Sequence, residues 1–214
     1  RSTLFPYTTL FRSRTGLTAW TGFDALAHCL EAYCAPGFHP MADGIAMEGL
    51  RLIQRYLPRA VADGADIQAR SRMLAAASMG ATAFQKGLGA VHSISHPVGA
   101  IYDTHHGMTN GVVMPYVLAF NRGAIEDKLE RIGRTLELPG RGFPAVFDWL
   151  LALRRDLHIP HSLAELGVTE DRLAEIAVKA EADPSTGGNP VPMNAKDFEV
   201  VIRAAIRGDL SLGD

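Results

Sequence analysis

The sequence predicts an all-α fold arranged as one helical-bundle-like domain. Apolar residues recur at the three- and four-residue spacing of amphipathic helices through most of the 214-residue chain. Glycine, proline and asparagine stand where these apolar runs stop, which is typical of helix ends. Alternation of apolar and polar residues, which would indicate strands, is nearly absent. A chain of this length is also sufficient for one sizeable hydrophobic core.

The first three predicted helices surround the first acidic and histidine residues of interest. The first helix begins near Thr18 and stops at the sequence Cys-Ala-Pro-Gly that starts at Cys34. The second covers about 41–56, and Pro58 predicts a kink or a break just after it. The third covers 67–86 and ends at Gly87, since glycine is favoured just past a helix C-terminus. Its many small side chains favour close packing between helices.

The later part of the chain is also predicted to be helical. A short helical segment carries His92 and His96 and is interrupted by Pro97. Further helices are expected at 107–120, 124–136, 143–156, 170–181 and 195–207. Asn194 is predicted to be the N-cap of the last helix. The one conspicuous loop is predicted at 183–191.

Charge and composition exclude several classes of partner. Lys and Arg total 21 while Asp and Glu total 23, so neither a nucleic acid nor a membrane surface is indicated. No apolar run reaches the roughly 18 residues that a membrane-spanning helix needs. Cys29 and Cys34 lie in one predicted helix with diverging side chains, so we predict free thiols. Free thiols fit a reducing, cytoplasmic setting.

The first thirteen residues, RSTLFPYTTLFRS, differ in character from the rest of the chain. They lack the basic start, the long apolar core and the small-residue cleavage site of a signal peptide. Residues 3–13 resemble the in-frame translation of a widely used sequencing adapter. The alternative interpretation is a genuine hydrophobic N-terminal strand. From the adapter interpretation we predict that 1–13 is a non-native tail and that 14–214 forms the helical domain.

Two segments indicate a chemical function. The first, GFDALAHCLEAY at 22–33, puts Asp24 and His28 one turn apart on the same helical face, a geometry that can hold one metal ion. Taken alone, this pair is more typical of a hydrogen bond on an amphipathic helix. The second segment, GLGAVHSISHPVGAIYDTHHG at 87–107, adds the imidazoles of His92, His96, His105 and His106. So many histidines so close together exceed what packing requires and favour a metal site.

Together the two segments resemble the signature segments of the iron-containing, group III alcohol dehydrogenases. That pattern is roughly G-x-D-A-x-x-H-x-x-E-x-Y, followed by G-x-x-H-x-x-x-H-x-x-G and a later H-G. The similarity runs from about Leu17 to the end of the chain, although beyond about Asn121 it is carried by pattern alone. The resemblance implies that a divalent metal is bound by Asp24, His28, His92 and His106. It also implies that His96 lies near the nicotinamide and the substrate, as a catalytic and cofactor-contacting residue.

The implied ligand set has a definite chemistry. One carboxylate and three imidazoles suit Fe²⁺ or Zn²⁺ and leave room for a substrate oxygen. Adjacent residues on a helix diverge by about 100°, so His105 and His106 are not expected to bind the same ion. The spacing of fourteen residues from His92 selects His106.

Several neighbouring residues have predicted roles as well. Glu31 is predicted either to orient a ligand imidazole or to be a structural or solvated residue. His96 is predicted to relay protons to solvent, with lining of the nicotinamide pocket as the alternative. The residues expected to line the substrate cleft are Phe84, Gln85 and Lys86. The histidines expected at the surface are His39, His158 and His161.

The resemblance implies that the chain is the C-terminal half of a two-domain, dehydroquinate-synthase-like fold. The implied function is hydride transfer between a primary alcohol or aldehyde and the nicotinamide of NAD or NADP. No G-x-G-x-x-G turn follows a strand in the sequence. We therefore expect the dinucleotide-binding domain to be missing and the fragment to be inactive alone. The intact enzyme is expected to be a homo-oligomer.

Two alternative functions stand beside this one. Dehydroquinate-synthase-like lyases also use a dinucleotide and a metal, but they place a Glu where this chain has Asp24 or His28. A stand-alone helical metal-binding or interaction module would require the chain to be complete. The adapter-like start disfavours that second alternative.

Overall fold

The structure is a computed structural model that describes residues 15–212. Eight α-helices make up most of this part of the chain, which contains no β-strand, so the all-α prediction is confirmed. The helices are α1 (Thr15–Cys34), α2 (Pro40–Ala62), α3 (Ile67–Ala83), α4 (Ala90–Tyr102), α5 (His106–Thr135), α6 (Gly142–Asp156), α7 (Leu173–Glu181) and α8 (Ala195–Arg207). Short 3-10 turns lie at Phe84–Lys86, Ala164–Leu166, Glu170–Arg172 and Pro184–Gly188. The predicted tail at 1–13 lies outside the described residues.

Helix α1 lies inside the bundle and packs against α2, α3 and α5. The side chains of Phe23 and Leu26 are completely buried. A helix that is apolar on most of its circumference is typically a core helix. The acidic and histidine side chains of α1 are Asp24, His28 and Glu31. Because burying such groups is costly unless they are paired, their partners locate the functional part of the molecule.

Small residues bring α3 close to α1, as the alanine-rich sequence predicts. Ala76 is fully buried, and a Cβ atom added at Gly80 would lie 2.9 Å from the Cβ of His28. Helix α3 ends in the 3-10 turn, and Gly87 follows with a φ of 149°. The predicted stop at Gly87 is therefore confirmed, although the last turn is tighter than an α-helix.

The predicted interruption at Pro97 is wrong, and of the kink or break predicted at Pro58 the break is absent. Helix α2 continues through Pro58 to Ala62, and α4 is continuous through Pro97. A proline inside a helix costs one backbone hydrogen bond, but burial on both sides offsets that loss. Leu57 and Ala60 are buried beside Pro58. In α4, Ile94 and Val98 are completely buried on either side of Pro97.

The predicted separate helices at 107–120 and 124–136 are one helix, α5. Asn121, in the expected gap, forms reciprocal side-chain hydrogen bonds of 2.9 Å with Asn189. Its amide therefore does not compete with the helical backbone. The segment predicted as a loop at 183–191 contains the 3-10 turn Pro184–Gly188. The prediction for Asn194 is confirmed, since it caps α8 in a full capping box.

Two further predictions concern the thiols and membranes. Cys29 and Cys34 are both free and buried, as predicted. Within residues 15–212, no helix is both long and apolar enough to cross a membrane.

Candidate metal centre

One carboxylate and three imidazoles converge where α1, α4 and the start of α5 meet. The Nε2 atoms of His106, His92 and His28 lie 3.2, 3.7 and 3.8 Å from Asp24 Oδ1. Ligand atoms held about 2.1 Å from one tetrahedral ion lie about 3.4 Å apart. Donor atoms of Asp24, His28 and His92 all lie within 4.8 Å of one another. The spacing and the donor types therefore fit one divalent cation.

Close approach between α5 and α1 brings His106 to the cluster. Gly107 follows His106, and a Cβ atom there would lie 2.2 Å from the carbonyl oxygen of Trp20 and 3.1 Å from the Cβ of Asp24. Only glycine fits between these backbones. The first turn of α5 consequently lies directly against the turn of α1 that carries Asp24.

Glu31 holds α4 at two points. Its Oε2 lies 2.5 Å from Nδ1 of His92, and its Oε1 accepts a 2.7 Å hydrogen bond from the backbone N–H of Val91. The side chain is buried together with that of His92. The Nδ1 contact directs Nε2 of His92 toward Asp24. Glu31 is therefore in the position predicted for a residue that orients a ligand imidazole.

The side chains of Ser95 and Asn110 both contact the ring of His106. Ser95 Oγ lies 3.4 Å from Nδ1 of His106 and donates its own proton to the backbone oxygen of His92. The oxygen of Ser95 is thus left to accept a proton from Nδ1. Asn110, one turn after His106 on α5, lies with its Nδ2 atom 3.1 Å from Nε2 of His106. Nε2 of His106 faces the centre of the cluster.

The protonation equilibria of the cluster are strongly perturbed. Burial raises the pKa of Asp24, but hydrogen bonds from His106 and His92 and the field of His28 outweigh it, so the pKa lies well below its ordinary value. Burial lowers the pKa of His92, but its bonds to Asp24 and Glu31 dominate and raise the pKa to about 9. Burial lowers the pKa of His28 despite the nearby Asp24. At neutral pH an ionised carboxylate thus faces the three histidine rings.

His96 lies at the edge of the cluster and has its own carboxylate partner. Its Nδ1 lies 2.8 Å from Oδ2 of Asp183, and its side chain is 44% exposed. The ring stacks on His106, with a centroid distance of 5.4 Å and an interplanar angle of 12°. The backbone N–H of Ser185 also donates to Asp183. A histidine that touches both the cluster and solvent is in a suitable position to transfer protons.

His105 is directed away from the cluster, as predicted. Its Nδ1 accepts a hydrogen bond from the backbone N–H of Met108 and caps α5. Its ring lies against Trp20 with a centroid distance of 4.9 Å. Of these two adjacent histidines, His105 therefore caps α5 and His106 lies in the cluster.

The three residues predicted to line a substrate cleft, Phe84, Gln85 and Lys86, have different surroundings. Phe84 packs against the ring of His28 at a centroid distance of 5.2 Å, next to the cluster. Lys86 is buried and donates to Asp43 at 2.5 Å and to the backbone oxygen of Tyr33. The ammonium group of Lys86 is therefore paired with Asp43, and its predicted place in a substrate cleft stays a prediction. Gln85 is exposed.

The other three histidines are exposed, as predicted. His39 caps α2 by accepting a hydrogen bond from the backbone N–H of Ala42. His158 adopts a positive φ of 56°. His161 has structural contacts, since Nδ1 accepts from Arg154 and Nε2 donates to the backbone oxygen of Gly208. None of the three lies in the cluster.

Sequence reasoning missed Asn110, Asp183 and Ser95. The i, i+4 spacing of Asn110 from His106 was the available signal for the first. Asp183 carries no comparable signal, since it is 87 residues from its partner His96. Ser95 lies between His92 and His96, but helical spacing alone does not place its hydroxyl on His106.

One carboxylate and three imidazoles that converge in a helical domain form a donor set suited to a divalent metal ion. Comparison with known proteins specifies the class. The sequence model of the Fe-containing alcohol dehydrogenase family, C-terminal, matches residues 18–206. The chain belongs to this family, which confirms the resemblance seen in its two signature segments.

Individual relatives agree with this assignment. The chain is 41% identical to the 4-hydroxybutyrate dehydrogenase of Cupriavidus necator, over 89% of this chain and 52% of that protein. It is also 41% identical to the NAD-dependent methanol dehydrogenase of Bacillus methanolicus, over 92% and 54%. The solved alcohol dehydrogenase from Oenococcus oeni superposes with a TM-score of 0.87 at 28% identity, covering 92% of this chain and 54% of that one. The chain spans about half the length of the relatives it matches.

Proposed function

We propose that this chain is the metal-binding catalytic half of an NAD(P)-dependent alcohol dehydrogenase. In this proposal Asp24, His28, His92 and His106 hold one Fe²⁺ or Zn²⁺ ion. The observation that carries the proposal is the convergence of three Nε2 atoms within 3.2–3.8 Å of Asp24 Oδ1. When bound, such a cation supplies Lewis-acid polarisation of an alcohol or carbonyl oxygen. The Bacillus methanolicus relative is an NAD-dependent methanol dehydrogenase, which supports a nicotinamide as hydride acceptor.

In this proposal Glu31 orients a ligand imidazole and His96 transfers a proton. Glu31 holds His92 by Nδ1 so that Nε2 stays directed at the cluster. His96 holds a proton at Nδ1 against Asp183, which leaves Nε2 free to exchange a proton with the substrate or with water. The partial exposure of His96 connects the cluster to solvent. Alcohol oxidation releases a proton, and His96 is the group that conducts it away.

The proposed metal site is tested by titrating the metal-free, full 214-residue chain with Co²⁺. Visible absorption of Co²⁺ reports the number and type of its ligands. We expect one equivalent to bind per chain, and His28→Ala and His106→Ala to abolish tight binding. His105→Ala is the matched control, since its side chain neighbours His106 in sequence but caps α5. Binding that survives both ligand substitutions, or that is lost with His105→Ala, would contradict the proposal.

The proposed reaction also requires a dinucleotide held against the substrate. The printed sequence contains no G-x-G-x-x-G turn, and the chain matches about half of each relative. Correct positioning of two reactants can contribute about 7–11 kcal/mol to lowering a barrier. We therefore expect the metal-loaded chain alone not to reduce NAD⁺ or NADP⁺ with short primary alcohols. Clear metal-dependent reduction of NAD⁺ or NADP⁺ by this chain alone would contradict that expectation.

A further inference from the structure

Asn110 is a fully buried amide at the centre of the cluster. It lies on α5 with a relative exposure of 0%. Its Nδ2 atom lies 2.8 Å from Asp24 Oδ1 and 3.1 Å from Nε2 of His106. The same atom lies 3.4 Å from Nε2 of His92. One amide nitrogen thus contacts donor atoms from all three helices that build the cluster.

The oxygen end of the Asn110 amide has no hydrogen-bond partner in residues 15–212. Its Oδ1 atom is buried without a hydrogen bond among the described residues. A buried acceptor without a donor destabilises a protein, and this cost offsets the gain from the hydrogen bond that Nδ2 donates to Asp24. The orientation of the amide is fixed by charge, because reversal would direct Oδ1 at the ionised Asp24. Stability therefore does not explain why an amide stands here.

We propose that Asn110 is a positioning residue for the metal cluster, holding Asp24 Oδ1 toward the three imidazoles through the hydrogen bond that its Nδ2–H donates to that oxygen. This inference rests on the proposed metal site. Asp24 retains 29% side-chain exposure, so without Asn110 its carboxylate can rotate toward water. Asn110 prevents that rotation by donating directly to the oxygen that faces the imidazoles.

The helical register makes this arrangement specific. His106 and Asn110 are four residues apart on α5 and share a face. The absent side chain at Gly107 lets that face approach Asp24 on α1. Asn110 thereby ties the start of α5 to α1 across the cluster. The link joins residues 86 positions apart in the sequence.

The test compares stability with metal affinity in the full chain. Asn110→Leu has the same number and branching of side-chain heavy atoms and removes both the donor and the unpartnered oxygen. We expect its thermal midpoint to stay close to that of the parent chain, because the variant removes the unpartnered oxygen and the partly exposed Asp24 can turn to water. We expect its Co²⁺ affinity to fall about 10- to 100-fold, as for other residues that orient metal ligands, with a changed visible spectrum.

A second variant and a control complete the test. Asn110→Ala provides the same readout if leucine does not fit, and its far-UV circular dichroism verifies the fold. Val113→Ala is the control, because Val113 is a fully buried apolar residue on the same helix. It should lower stability and leave Co²⁺ affinity and spectrum unchanged. If either folded Asn110 variant binds Co²⁺ with the parent's affinity and spectrum, the inference is overturned.

The same titration separates this inference from the proposed function. Failure of the parent chain to bind Co²⁺ would contradict the metal site itself. Tight binding by the parent and by both Asn110 variants would leave the metal site intact and remove only the role of Asn110.

Discussion

The carboxylate of Glu31 contacts both His92 and the backbone of the helix that carries it. Oε2 lies 2.5 Å from His92 Nδ1, and Oε1 lies 2.7 Å from the backbone nitrogen of Val91. The N-cap residue of α4, Gly89, provides no side-chain cap. Glu31 therefore caps α4 from another helix and orients an imidazole with the same group. We therefore expect fold stability and metal binding to be coupled through this one side chain.

Replacing Glu31 by Gln tests that coupling. Glutamine keeps one side-chain oxygen that can accept a hydrogen bond from the backbone N–H of Val91. It lacks the negative charge that holds Nδ1 of His92. We expect the free energy of unfolding to fall by about 1.5–3 kcal/mol, the usual worth of a hydrogen bond to a charged group. Metal affinity should fall about 10- to 100-fold. Chemical denaturation and Co²⁺ titration measure the two quantities.

Glu48→Gln is the control for that substitution. The Glu48 side chain is 42% exposed and pairs with Arg51 on the surface of α2, and exposed pairs contribute about 0–1 kcal/mol. It should leave metal affinity unchanged. A Glu31→Gln chain with the parent's stability and affinity would show that the 2.5 Å contact has no energetic role.

His96 is predicted to affect turnover without affecting metal content. Its ring is bonded to Asp183 rather than directed by Glu31 or Asp24. In a full-length relative carrying Ala at the position matching His96, turnover should fall about 10²- to 10⁴-fold, the usual contribution of a general acid or base. The pH profile of turnover should change as well, while metal content by elemental analysis stays the same. Loss of the metal would show that His96 is a ligand.

Gly107 is predicted to be intolerant of any side chain. A methyl group there would lie 2.2 Å from a backbone oxygen of α1, which neither helix can accommodate without moving. Gly107→Ala should lower the free energy of unfolding by about 1–3 kcal/mol, as overpacking does. It should also weaken metal binding because it displaces His106.

Gly123→Ala is the matched control on the same helix, since no atom lies within 4 Å of the added Cβ. It should stabilise the chain by about 0.5–1 kcal/mol through helix propensity. Equal effects of the two substitutions would mean that the contact between α5 and α1 does not constrain the cluster.

Cys34 is predicted to be inert in the folded chain. Burial raises the pKa of its thiol to about 12, so almost no thiolate forms at pH 8, and the thiolate is the reactive species. Iodoacetamide should therefore modify it only after unfolding in guanidinium chloride. Mass spectrometry of native and unfolded samples measures the difference. Rapid native modification would mean that this end of α1 is open to solvent.

Local spacing was sufficient to predict much of the cluster. Asp24 and His28 share a face because they are one turn apart, and Glu31 lies on that face one further turn away. The similarity of the second segment to a family pattern added His92 and His106. The structure brings these side chains together, because each prediction depended on short-range helical geometry or on a specific motif; their role as metal ligands stays a prediction.

Contacts between distant segments were not predictable in this way. Asp183 reaches His96 because the 3-10 turn after α7 packs on α4, and no spacing rule encodes that contact. The continuity of α4 through Pro97 depends on burial of Ile94 and Val98. Tertiary packing overrides local preference at such positions. The position of Asn110 against Asp24 likewise depends on how α5 crosses α1.

Anomalous X-ray diffraction from crystals of the Zn²⁺-loaded chain is the most direct test of the proposed metal site. The account predicts one zinc peak about 2.0–2.2 Å from a carboxylate oxygen of Asp24 and from the Nε2 atoms of His28, His92 and His106. A peak bound by His96 or His105 in place of any of these residues, or no peak between α1, α4 and α5, would contradict it.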